Sequence, residues 1–279
     1  MTLVAIGPVT NDLIIVGDKK ESKTGGAVYF QSFVFEEFFD DYMVIVNGSD
    51  ESLINEFPDL DKVKLIKKDD THYFINRYPD INNNDIRIQS SNFADIPITK
   101  NDLEGILPNK IDAFVLNPLN AYDFPLETVD YLKSFNVPIY MSIQGFLRYP
   151  GEKIDEDNYS IALKNSDETE KIISSVEALF LDESEYSILV GENDINDFNI
   201  SEIIITNGSK GSRIISDKEY KIEAVKCDNV IDSTGCGDTY MAAYISKKLT
   251  TKSVLKSANF ASKIASDKLS FFGPYKPVI

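Results

Sequence analysis

Short apolar runs alternate with amphipathic stretches along most of the chain. Residues 2–6, 42–46, 63–66, 111–116, 137–143, 176–181 and 203–205 are compact runs rich in Val, Ile and Leu, each closed by polar, Gly or Pro residues, and each predicts a buried strand. A further apolar run at 13–16 ends at Gly17-Asp18. Between the strands lie helical patterns. Val28, Phe30, Phe33, Val34 and Phe38 follow the glycine pair Gly25-Gly26. Met241, Tyr244, Ile245 and Leu249 recur at intervals of three and four. Helices are also predicted over 50–57, 126–135, 169–175, 253–269 and directly after the polar break at 182–185. Two departures from alternation predict hairpins: 71–78 with 85–89, flanking a Pro-Asp-Ile-Asn-Asn-Asn cluster, and 213–215 with 220–224.

Strands separated by helices predict a doubly wound α/β fold, its mostly parallel central sheet flanked by helices. The chain reads as one domain over 1–279. Polar ligands of such sheets bind beyond the carboxyl ends of the strands, where Asn117, Gln144, Asp182, Glu185 and Asn207 fall. The hairpin around residue 79 reads as an exposed excursion, a lid or a dimer surface. His72, Arg77, Arg87 and Gln89 lie on it, and a solvated edge is at least as good a reading for His72 and Arg77.

Charge narrows the function. With 28 Lys and Arg against 45 Asp and Glu the chain carries a formal −17, which argues against nucleic acid and anionic membrane as partners. Any polyanion site must be built locally. Two cysteines exclude a disulfide scaffold, and a single histidine removes Ser-His-Asp catalysis. The absence of a membrane-length apolar run or a leader pattern reads as a cytoplasmic protein.

The chemistry concentrates in 232–238, Asp-Ser-Thr-Gly-Cys-Gly-Asp, running into the helix that carries Met241. Gly235 and Gly237 permit a tight turn and close ligand approach, delivering main-chain N–H groups to a helix start that welcomes an anion. Asp238 lies in the first turn of that helix. An anion cradle beside a carboxylate suits phosphoryl transfer to a hydroxyl, although Asp and Gly before an apolar run also make an ordinary helix cap.

Residues 232–238 resemble the Asp-Thr-x-Gly-Ala-Gly-Asp signature of the ribokinase-like (PfkB) carbohydrate kinases. Gly7 with Asp12, and Gly25-Gly26, resemble that family's acceptor-side elements; Asp182-Glu183-Ser184-Glu185 resembles its Asn-x-x-Glu element, with Asp in place of Asn. Residues 206–211 are similar to its nucleotide loop, and Ala258-Asn259 to the Ala-Asn near its adenine pocket. The resemblance implies a ribokinase-like fold with a small β lid from about 8–24 and 67–92. It implies Asp238 as base, with Gly235, Cys236 and Gly237 as the anion hole. Asp12, Gly25, Gly26, Gln144 and Arg148 would meet the acceptor, and Thr206, Asn207, Gly208, Gly211 and Asn259 the nucleotide. Asp182 and Glu185 would organise Mg2+ through water. ATP or another nucleoside triphosphate is the implied donor, with room for a monovalent cation and for a homodimer joined through the lid.

The stretch 142–148, Ser-Ile-Gln-Gly-Phe-Leu-Arg, is similar to that of inositol-kinase-like members, with Ser142 where they tend to have Asp. The acceptor is therefore expected to be a sugar or polyol such as myo-inositol. A nucleoside kinase of the same fold and a non-catalytic, ligand-binding relative stay open. A dinucleotide-dependent oxidoreductase fits poorly, because the first strand lacks Gly-x-Gly-x-x-Gly.

Overall fold

The computed structural model describes residues 1–78, 88–174, 176–191 and 195–277. In chain order the N-terminal half forms β1 (Leu3–Ile6), β2 (Thr10–Val16), β3 (Lys19–Gly25), α1 (Ala27–Phe38), β4 (Tyr42–Gly48), β5 (Val63–Lys67), β6 (Phe74–Tyr78), β7 (Ile88–Ser91), α2 (Lys100–Leu103), β8 (Ala113–Leu116) and α3 (Leu126–Lys133). The remainder forms β9 (Ile139–Ser142), β10 (Arg148–Lys153), β11 (Tyr159–Leu163), α4 (Asp167–Ile173), β12 (Ala178–Asp182), α5 (Glu183–Val190), β13 (Glu202–Thr206), β14 (Ser212–Ile215), β15 (Glu219–Ile222), α6 (Cys236–Thr251) and α7 (Val254–Lys268).

The apolar runs build a nine-stranded sheet in the order β15-β14-β13-β12-β9-β8-β1-β4-β5. Neighbours from β13 to β5 run parallel, and β14 and β15 close one edge as an antiparallel hairpin. β1 shows why the runs are continuous rather than alternating. Leu3 and Ala5 join a core with Val28, Phe35, Met241, Tyr244 and Ile264, under α1, α6 and α7. Val4 and Ile6 face the other way, against Phe114, Val129, Leu132, Ile172 and Leu189, under α3, α4 and α5. A strand covered on both faces has no side to leave polar. This is the doubly wound, mostly parallel arrangement that the alternation implied.

A second, six-stranded sheet has the order β10-β11-β7-β6-β2-β3. The two expected hairpin arms pair as antiparallel β6 and β7, from Phe74↔Ser91 to Arg77↔Ile88. Their connection, with Arg87, lies outside the described residues. Three of this sheet's strands were not expected. β3 is a polar run whose Lys19, Lys20, Glu21 and Ser22 are exposed on the sheet's edge, where lysines resist further pairing. β10 and β11 pair across a register shift between Pro150 and Lys153. The stretch expected as a helix over 50–57 forms a 3-10 helix, Glu51–Glu56, capped by Asp50.

Candidate active site

The glycine turn sits where the sequence put it, and its chemistry follows from its backbone. Gly235 caps α6 in the left-handed region, at φ 73°, and a Cβ there would lie 2.3 Å from the ring of Phe30 on α1. Only glycine meets both conditions without strain. Asp232 Oδ1 accepts Thr234 N–H at 2.9 Å, and Gly235 O accepts Thr239 N–H at 2.8 Å. Cys236, expected to offer its N–H to an anion, donates it instead to Ser233 O at 3.2 Å. Among the described residues, the amides of Gly235, Gly237 and Asp238 are not spent in holding the turn. Gly237 is exposed, with open space where a Cβ would point. The amides that the turn leaves open are thus those of Gly235 and Gly237 and of Asp238 at the start of α6.

Three charges converge beside it. Arg148, at the first residue of β10, is 9% exposed, and its guanidinium carbon lies 5.4 Å from the centroid of the Phe74 ring. Its charge acts on both Asp238 and Glu185. Burial pushes the Asp238 carboxyl up to about 6, and Arg148 pulls against that shift. Glu185 is pushed up to about 7 by burial and by the neighbouring Asp182 charge, against the Asp182 N–H, Arg148 and a hydrogen bond from Gln144. These are carboxyl groups poised near neutral pH, which ordinary surface carboxylates are not.

Asp182 and Glu185 are fixed by a reciprocal cap at the start of α5. Asp182 Oδ1 accepts the N–H groups of Ser184 and Glu185, each at 2.8 Å, and Glu185 Oε2 accepts Asp182 N–H at 2.9 Å. No group of three or more metal-ligating side chains occurs among the described residues. Two carboxylates, one of them buried and pushed up, fit a hydrated Mg2+ held mainly by water and donor phosphate rather than by a protein cage.

On the side expected to meet the acceptor, Asp12 Oδ1 accepts Phe74 N–H at 3.2 Å. A Cβ on Gly25 would lie 2.6 Å from Asp12 Oδ2, so the carboxylate is packed against the glycine pair. Gly26, at φ 96°, starts α1. Phe74 therefore joins Asp12 to Arg148, linking the two halves of the expected acceptor site. On the side expected to meet the donor, the parallel register sets Asp182 beside Thr206. The loop after Thr206 closes on itself through Asn207 N–H to Gly211 O at 2.8 Å, with Gly208 exposed at its tip. Gly211, at φ 88°, faces Ile222 O so closely that no side chain fits.

Two expected residues stand apart from this cluster. Asn259 is exposed on α7 and folds its amide back onto Leu255 O at 2.9 Å. Asn117 is buried in a reciprocal amide pair with Gln31, at 2.7 and 2.9 Å, and acts as a clamp between β8 and α1. His72 is buried against Asp123 at 2.9 Å, a structural contact rather than an exposed lid residue. The sequence reading missed Phe74 and Lys268, whose partners are remote in the chain and carry no short-range signal.

Residues 152–278 match the family model described as pfkB family carbohydrate kinase. A nucleoside kinase of Methanocaldococcus jannaschii is 37% identical over 81 residues, a match that spans 27% of this chain and only about a quarter, 27%, of that protein. Among solved structures, a pyrophosphate-dependent kinase in the ribokinase family, complexed with a pyrophosphate analog and myo-inositol, has a TM-score of 0.80 at 24% identity over 98% of this chain and 97% of its own. Arabidopsis thaliana ribokinase, complexed with ribose and ATP, has a TM-score of 0.73 at 17% identity, covering 98% and 93%. The M. jannaschii nucleoside kinase structure has a TM-score of 0.72 at 17% identity, covering 98% and 92%. The chain thus carries a pfkB family carbohydrate kinase domain match over 152–278, set in a fold that is ribokinase-like from end to end.

Proposed function

We propose that the chain is a small-molecule kinase that moves a phosphoryl group from ATP or pyrophosphate to a hydroxyl of a sugar or polyol. The observation that carries this reading is Asp238. It is a carboxyl poised at about 6, one residue from an open glycine amide at a helix N-terminus and under the charge of Arg148. In a loose transition state the attacking oxygen keeps its proton until late, so a weak base suffices. Asp238 would orient the acceptor hydroxyl and take that proton. The amides of Gly235 and Gly237 would face the charge that builds on the transferring group. Asp12, packed against Gly25, would accept hydrogen bonds from other acceptor hydroxyls. Mg2+, held through water at Asp182 and Glu185, would neutralise charge on the donor phosphates. The 206–211 loop would lie along the donor.

For the acceptor, the 142–148 stretch and the fold neighbour complexed with myo-inositol favour a cyclic polyol. The same neighbour is a reason to test pyrophosphate beside ATP. The local identity to a nucleoside kinase favours a second reading, a nucleoside acceptor. Turnover with Mg2+ and either donor, across myo-inositol, ribose, fructose, adenosine, cytidine and no acceptor, separates them. Asp238→Asn should cut kcat by about 10²–10⁴-fold, the range of a lost general base, with donor binding kept. Turnover that survives this substitution would remove Asp238 as the base; a wild type that neither binds a donor nor turns over would leave the binding-only relative.

A further inference from the structure

Lys268, the last residue of α7, is completely buried. Lysine is almost never buried without a partner, so its partners should explain it. Its Nζ donates to the main-chain oxygen of Asp232 at 2.7 Å and lies 3.3 Å from Asp232 Oδ2. Asp232 opens the glycine turn. Its Oδ1 holds Thr234 N–H and its Oδ2 accepts Gly273 N–H at 3.0 Å, while Leu269 O accepts the N–H of Ile231 at 2.7 Å. The entry to the turn is therefore fastened to the end of α7 around one ammonium group.

The electrostatics set the problem that this group solves. Burial favours a neutral Asp232, but the bonds from Thr234 and Gly273 and the Lys268 charge outweigh it and hold the carboxyl below its ordinary range. Asp232 is thus an anion at the root of a turn that is to receive a phosphoryl group. Uncompensated, it would oppose the very charge the amides attract. A carboxylate oxygen beside a carbonyl oxygen is also a donor set that a small hard cation would take. We infer that the Lys268 ammonium is the resident cation of this turn, standing between Asp232 O and Oδ2 where a free monovalent cation would otherwise be needed. It holds the turn and cancels the Asp232 charge without a binding equilibrium. The site therefore works independently of K+ and Na+. Lys268 is a positioning residue, acting through Asp232 on the amides of Gly235 and Gly237. This inference rests on the kinase reading for what the turn does, but not for the cation site itself.

The test measures turnover and Tm in KCl, NaCl, NH4Cl and choline chloride at one ionic strength. Wild-type values should be the same in all four; a wild type that requires K+ overturns the inference. Lys268→Ala opens an ion-sized space and should lose about tenfold or more in turnover, the scale of a weakened oxyanion site. K+ or NH4+, but not choline, should restore part of that loss and raise the Tm of this variant alone, because an ion bound only by the folded state stabilises it. Lys268→Met, which refills the space without charge, should respond to no cation. A Lys268→Ala protein with full turnover in choline, or one that is unresponsive or unfolded in every salt, contradicts the inference. If the wild type phosphorylates no acceptor, the kinase reading fails on its own, and the Tm comparison still decides the cation site.

Discussion

At the scale of single residues the site is a balance between burial and one guanidinium. Both Asp238 and Glu185 are carboxyl groups whose acid form is favoured by burial, and Arg148 opposes that in both. If Asp238 must be ionised to take a proton, kcat/KM should fall on the acid side with a limb at about 6. Removing the Arg148 charge stabilises the protonated forms, so the limb should move to higher pH. Arg148→Met tested over the full pH range checks this. A limb that stays in place, or moves down, means that Arg148 does not act on the base. The same scale gives a stability prediction at Gly235. Alanine there combines a left-handed conformation, about 1–2 kcal/mol, with a methyl group driven into Phe30, about 1–3 kcal/mol, so Gly235→Ala should lower the urea-unfolding free energy by roughly 2–5 kcal/mol. Alanine at Gly237, which meets open space, should cost far less stability while still crowding the anion.

At the scale of elements, the cap of α5 separates structure from charge. Asp182→Ala removes a side chain that accepts two N–H groups and should cost about 1 kcal/mol. Asp182→Asn keeps a good cap, so stability should hold. It also deletes the neighbouring charge that raises Glu185, and should therefore bring the Glu185 carboxyl down. Carboxyl titration followed by NMR, with urea melts of both variants, tests the pair of statements. Elements also show what was legible. The buried parallel strands were, because two covered faces force unbroken Val, Ile and Leu runs. The glycine turn was, because positive φ and close approach leave only glycine. β3, β10 and β11 were not, because an edge strand such as Lys19–Gly25 is solvated and reads as a polar loop, and Pro150 and Gly151 read as a turn. The couplings Gln31–Asn117, Phe74–Arg148 and Lys268–Asp232 join remote parts of the chain that no local pattern connects.

At the scale of the whole molecule, the two sheets share one site: β2, β6 and β10 bring Asp12, Phe74 and Arg148, while α5 and α6 on the central sheet bring Glu185 and Asp238. Around that site lies a chain of formal charge −17, and the donor proposed for it is an anion. The two fields have opposite signs. Arg148 and the turn amides would attract at contact distance, whereas the surface carboxylates repel from further away. Salt separates them by range, because the Debye length falls to about 10 Å at 0.1 M. Raising choline chloride from very low concentration should therefore screen the long-range repulsion first and improve kcat/KM for the donor. The KM of an uncharged acceptor should stay flat over the same range. Choline keeps this measurement apart from any effect of K+. A donor kcat/KM that falls steadily from the lowest salt would mean that the local positive field governs capture, and that the acidic surface is too distant from the cleft to matter.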